Sequence, residues 1–120
     1  MSVRRVKTYT AQTGYVYEYY FVGRRAALAD DPFAPSTEFI FDVSSDRKTI
    51  FAVSVFLLPR ALDAFAAERG RTLSEPEQYA AAKRCLQKGF DEIANMLLDG
   101  RRLALDSDLL VELLQSVGID

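Results

Sequence analysis

Gly14-Tyr15-Val16-Tyr17-Glu18-Tyr19-Tyr20-Phe21-Val22-Gly23 holds four of the six tyrosines of the chain. Side chains alternate along a strand, so Tyr15, Tyr17, Tyr19 and Phe21 project one way and Val16, Glu18, Tyr20 and Val22 the other. An aromatic row of this kind is either half of a hydrophobic core or a flat recognition surface that stacks planar groups. Alternating aromatics in strands usually form the buried face of a sheet. That face is therefore expected to be core, and the rest of the chain must supply its cover.

Working outward, residues 3–10 and 15–23 read as a hairpin around Ala11-Gln12-Thr13-Gly14. Setting Thr10 against Tyr15 brings Lys7 opposite Glu18, a favourable cross-strand pair. This register predicts Arg5, Lys7, Glu18 and Tyr20 facing solvent, with Val6, Thr8, Tyr15, Tyr17, Tyr19 and Phe21 facing the core. Residues 24–36, with Asp30-Asp31-Pro32 and Pro35, read as a loop. Residues 37–43 and 49–58 form a second hairpin joined by Ser44-Ser45-Asp46-Arg47-Lys48. Opposing Phe41 with Phe51 and Phe39 with Val53 gathers the apolar residues on one face and leaves Glu38 and Asp42 on the other.

The second half reads as helix. Pro59 opens one at its first turn, where a missing N–H costs nothing, and Gly70 ends it. Ser74-Glu75-Pro76-Glu77 is a capping box. The helix it starts is expected to run to about Leu98, stopped by Gly100, with Tyr79, Ala82, Leu86, Phe90, Ile93 and Leu97 as its buried stripe. A last helix over residues 107–117 presents Leu109, Leu110, Leu113, Leu114 and Val117. Strands first and helices afterwards predict one α+β domain over residues 1–120: a four-stranded antiparallel meander of two hairpins with two or three helices packed on one face.

Composition prunes the chemistry. The chain has no histidine and one cysteine, so Ser-His-Asp and Cys-His sites, His-ligated metals, thiolate clusters and internal disulfides cannot be built. No apolar run approaches the ~20 residues a membrane span needs, and a cytoplasmic location is expected by default. Residues 1–60 hold eight Lys/Arg against six Asp/Glu, and residues 61–120 seven against eleven. Neither half carries the single-sign field of a dedicated nucleic-acid binder, so nucleic acid is not an expected partner. Asp30-Asp31, Asp91-Glu92 and Asp106-Ser107-Asp108 lack the spacing of a calcium loop, and no metal is expected.

Leu105-Asp106-Ser107-Asp108-Leu109-Leu110-Val111-Glu112-Leu113 resembles the phosphopantetheine-attachment stretch of acyl carrier proteins, in which a serine after aspartate starts a helix containing Val-Glu-Leu. The likeness covers nine residues and departs at Asp108, where that family usually has an apolar residue. Capping alone produces Asp-Ser at a helix start. Asp106 and Asp108 are accordingly read as helix N-terminal charges, and no cofactor is expected.

Two function classes follow. The first is a small non-enzymatic binding domain that self-associates as a homodimer or takes a protein partner. Its aromatic hairpins and leucine-rich last helix are generous for one small sheet, and surplus apolar surface marks interfaces. Leu109, Leu110, Leu113, Leu114 and Val117 are the candidate interface. The second is a pocket for a phosphorylated or planar small molecule, or an enzyme using tyrosine, arginine and carboxylate groups. It would be lined by Tyr15, Tyr17 and Tyr19 and by the pairs Arg4-Arg5 and Arg24-Arg25, which the expected register brings together at the open end of the first hairpin. Guanidinium groups so gathered would hold phosphate by bidentate contacts.

Overall fold

The computed structural model describes residues 5–120. Its elements run β1 (Lys7–Thr10), β2 (Val16–Ala26), β3 (Thr37–Ser44), β4 (Phe51–Leu57), α1 (Pro59–Arg69), α2 (Glu75–Glu92), α3 (Met96–Asp99), β5 (Arg102–Leu105) and α4 (Ser107–Ser116). The strands form one sheet in chain order, β1 to β4 as an antiparallel meander and β5 parallel to β4. The fold is α+β with helices packed on one face, and it has one strand and one helix more than expected. A parallel partner needs a long crossover, and α1, α2 and α3 supply it. Val3 and Arg4, expected at the start of the first strand, lie outside the described residues.

The first hairpin is offset by one residue from the expected pairing. Tyr9 opposes Tyr17, Thr8 opposes Glu18 and Lys7 opposes Tyr19. The turn is the cause. The Ala11 N–H donates to Tyr15 O at 2.9 Å and the Gly14 N–H to Ala11 O at 3.0 Å, with Gly14 in the left-handed region at φ 96°. Tyr15 thus belongs to the turn, and the strands pair one step later. A one-residue slip reverses every side chain of the slipped strand. Tyr9 therefore joins Tyr17 and Tyr19 on the core face, while Thr8 turns to the other. On β2, Tyr17 and Tyr19 are buried as expected, but Tyr15 is 53% and Phe21 37% exposed. A bulge between Phe21 and Gly23 bends the strand there.

The second hairpin is displaced by two residues, Phe41 opposing Val53 and Val43 opposing Phe51, which preserves both faces. Asp46 sets its turn. Oδ1 accepts from the Lys48 and Thr49 N–H groups, both at 2.8 Å, with Arg47 at φ 63°. Phe39, Phe41, Val53, Val55 and Leu57 are fully covered by Phe65, Ala82, Leu86 and Phe90 from the helices and by Leu110 and Leu114 of α4.

Helix α1 starts at Pro59 and closes on Gly70 at φ 71°, as its sequence predicts. The capping box of α2 forms, but the helix stops at Glu92 instead of continuing to Leu98. Asp91 and Glu92 place negative charge at its carboxyl end, where the macrodipole disfavours it. Asn95 then accepts from the Leu98 N–H at 3.1 Å and starts α3. Leu97, expected in the buried stripe, is exposed as a result. Strand β5 is missed by sequence reading because Arg-Leu-Ala-Leu is too short to show a period.

Two outcomes are expected. Leu110 is fully buried and Val117 is not, so Leu110→Ala should cost roughly 2–5 kcal/mol in denaturant melts. Val117→Ala should stay within about 0.5 kcal/mol. The second outcome concerns pH. Arg71 and the Ser74 N–H hold the Glu77 carboxyl down from 4.5 to about 2. A depressed folded value contributes stability above the ordinary value, and that stability is lost as pH falls through the folded one. Wild type and Glu77→Gln should differ in stability near neutral pH and converge on acidification from about pH 4.5 to about 2. An undiminished gap at the acid end would contradict this role for Glu77.

Candidate functional site

Among the described residues, the arginines Arg5, Arg24 and Arg25 do not share one face. Arg4 is outside the described residues, and Arg5 is exposed beside Lys7 at a recess of about 610 Å3 that Tyr20, Val22 and Tyr79 also line. Arg24 and Arg25 fall on opposite faces of β2, opposing Phe39 and Glu38 respectively. The Arg24 guanidinium lies over the Phe39 ring at 5.6 Å and pairs with Glu75 at 3.4 Å. Arg25 Nε donates to Glu38 Oε1 at 2.9 Å, and Ser54 Oγ donates to Glu38 Oε2 at 2.6 Å. Each of these two cations already has a carboxylate. Tyr15 and Arg24 are nine residues apart along the chain, about 30 Å at strand rise, so they cannot line one small-molecule pocket.

The tyrosine row divides by position. The Tyr17 ring stacks on Phe90 with centroids 4.1 Å apart and planes 5° from parallel. Burial pushes the Tyr17 phenol up from its ordinary value. The Tyr19 hydroxyl accepts from Gln87 Nε2 at 2.9 Å. Tyr15, at the tip, leans on Tyr17 at 6.2 Å and 59°. Together Tyr15 and Tyr17 line a cleft of about 230 Å3 between the two hairpin tips and the break that separates α2 from α3. Ser45, Asp46, Thr49, Phe51, Asn95 and Leu97 are among its other walls.

The last helix points inward. Leu110, Leu113 and Leu114 are buried in the chain's own core and Leu109 packs partly against it, while Val117 keeps much of its surface. Asp106 caps α4 by accepting from the Leu109 N–H at 3.0 Å, the capping role its sequence predicts. Cys85 is buried on α2, and desolvation pushes its thiol up to about 12. That keeps it from acting as a thiolate near neutral pH.

Part of the accessible apolar surface lies on the sheet face opposite the helices. Phe56 is fully buried there, under Phe33 at 5.0 Å and the Arg102 guanidinium at 4.8 Å. Beyond that corner no helix covers the face among the described residues. Val6 and Ile50, 53% and 62% exposed, flank a small cavity of about 110 Å3 that Glu18, Tyr20, Asp42 and Arg47 also line. The polar groups there are mutually satisfied, with Arg47 paired to Glu18 and the Tyr20 hydroxyl donating to Asp42. Sequence reading misses this patch because the inverted first-strand register sends Val6 to the core. Ile50 reads there as part of a strand apolar on both faces.

No family model matches the chain, and neither does any curated protein or solved structure. Among the described residues no helix is long and apolar enough to cross a membrane, and no three His, Cys, Asp or Glu side chains gather as a metal site.

The division of the tyrosine row has a direct test. Tyr17→Ala should cost about 3–5 kcal/mol in denaturant melts, the range for deleting a large buried aromatic. Tyr15→Ala should change stability by no more than about 0.5 kcal/mol. Equal sensitivities would contradict the division.

Proposed function

We propose that the protein is a non-enzymatic interaction domain that binds a second copy of itself, or another protein, through the open face of its sheet. The supporting observation is the pairing of exposed Val6 and Ile50 with polar neighbours that already satisfy one another. Covering such a face removes apolar surface from water at roughly 25 cal/mol per Å2. It strands no charge, because Glu18 and Asp42 keep Arg47 and Tyr20 as partners. Leaving a buried charge unpaired is what makes desolvated polar surfaces costly. The aromatic and aliphatic centre with a polar surround also follows the anatomy of protein interfaces.

Catalysis is the weaker reading. The chain lacks histidine, its only thiol is pushed up to about 12, and Arg24 and Arg25 are occupied by glutamates. A cytoplasmic setting accords with a single buried cysteine.

Light scattering coupled to size-exclusion chromatography tests self-association. The expected mass is twice the 13.5 kDa of one chain. Ile50→Asp is expected to return it to one chain that still unfolds cooperatively, because Ile50 lies outside the core. A wild type that stays at one chain across the accessible concentration range would overturn self-association. A dimer indifferent to Ile50→Asp would move the interface off this face.

A further inference from the structure

We infer that the cleft at the hairpin tips is a binding site for an organic ammonium group. It lies apart from the open sheet face, from which the β3–β4 loop separates it, and it stands independently of the interaction proposed there. At about 230 Å3 it is smaller than the ~300–1,000 Å3 of pockets that take a whole drug-sized ligand. It suits a head group or a single side chain.

Its chemistry selects the sign of that group. Tyr15 and Tyr17 meet as an aromatic corner, centroids 6.2 Å apart and planes at 59°. Phe51 lines the same cleft. Ring faces attract cations, and quaternary ammonium groups are held in aromatic enclosures of this kind. Asp46 is the only charged residue among the described lining residues. Its Oδ1 is fixed by the Ser44 hydroxyl at 3.2 Å and by the Lys48 and Thr49 N–H groups at 2.8 Å. Those backbone hydrogen bonds also hold its carboxyl below the usual carboxylate range. Its other oxygen accepts no hydrogen bond from another described residue. Neighbouring Arg47 is turned to Glu18, and neither it nor Lys48 lines the cleft.

Tyr17 is 2% exposed and stacked on Phe90, so it borders the cleft as a fixed wall while Tyr15 carries the accessible ring. The site therefore offers an ammonium ligand one accessible aromatic ring, backed by Tyr17 and Phe51, and one carboxylate. The same head group is carried by free small ammonium compounds and by methylated lysine side chains of proteins.

The test is an amide-resolved NMR titration of the full chain with choline, its neutral carbon isostere 3,3-dimethylbutan-1-ol and a trimethyllysine tripeptide. Saturable shifts are expected at the amides of Tyr15, Asp46 and Leu97. The neutral isostere should bind about tenfold more weakly, the scale of a cation–π and carboxylate contribution. Asp46→Asn keeps the Oδ1 that fixes the turn and loses the charge, and should weaken choline by a similar factor. Tyr15→Leu removes the exposed ring without touching the core and should do the same. Equal affinity of choline and tripeptide assigns a free ammonium compound, and tighter binding of the tripeptide assigns a lysine side chain. Equal affinity for the neutral isostere, non-saturating shifts with both cations, or indifference to both substitutions would overturn the inference.

Discussion

Phe90 is the contact on which the arrangement of this protein depends. Its ring stacks on Tyr17 at 4.1 Å, and it also touches Tyr19 at 5.8 Å and Tyr9 at 6.0 Å. One residue of α2 thereby fastens both strands of the first hairpin. Beside it, Asp91 accepts from the Tyr9 hydroxyl at 2.7 Å and from the Gln12 N–H at 2.9 Å, which ties the hairpin tip to the same helical turn. The contact favours the observed register, because only that pairing presents Tyr9 to Phe90 together with Tyr17 and Tyr19. Aromatic pairs of this geometry contribute roughly 0.5–1.5 kcal/mol beyond the area they bury.

From that fixation follows the asymmetry of the sheet. With α1, α2 and α4 on one side, the other side is left to loop 27–36 and to its own polar pairs. The loop closes over Phe56 at one corner, where Arg102 pairs with Asp31 and lies over Phe33 and Phe56. The rest of that face remains accessible around Val6 and Ile50. The tip end has a different origin. Because α2 stops at Glu92, the chain turns away through Asn95, and a cleft opens between the hairpin tips and Leu97. Both surfaces arise where the core elements end, which is where side chains escape the demands of packing.

Much of the fold was legible because the signals were local. Pro59, Gly70, the Ser74–Glu77 box and the Asp106 cap each satisfy backbone groups within a few residues of themselves, and each appears where it was read. The period-2 pattern of Phe39, Phe41 and Val43 likewise determined a face without reference to anything distant. What was not legible depended on partners far along the chain. The register of the first hairpin is settled by a turn hydrogen bond and by Phe90 and Asp91, about 80 residues away by the spacing of the bond from Tyr9. The end of α2 turns on a balance between stripe and charge that Ile93 and Leu97 alone do not reveal. The candidate site is the least legible part: Arg24 and Arg25 look like a pair in the sequence, yet successive residues of a strand face opposite ways. Glu75 and Glu38 then neutralise them separately. Tyr15 and Tyr17 share a cleft with Asp46 as its charge and no arginine among the described residues that line it.

The coupling between Tyr17 and Phe90 is the most direct test of this arrangement. A double-mutant cycle with Tyr17→Leu and Phe90→Leu, read by denaturant unfolding, isolates the stacking from the loss of each ring alone. The stack predicts a coupling energy of about 0.5–1.5 kcal/mol. Losses that add to within about 0.3 kcal/mol, the behaviour of sites without shared contacts, would show that α2 is not fastened to the first hairpin through this pair.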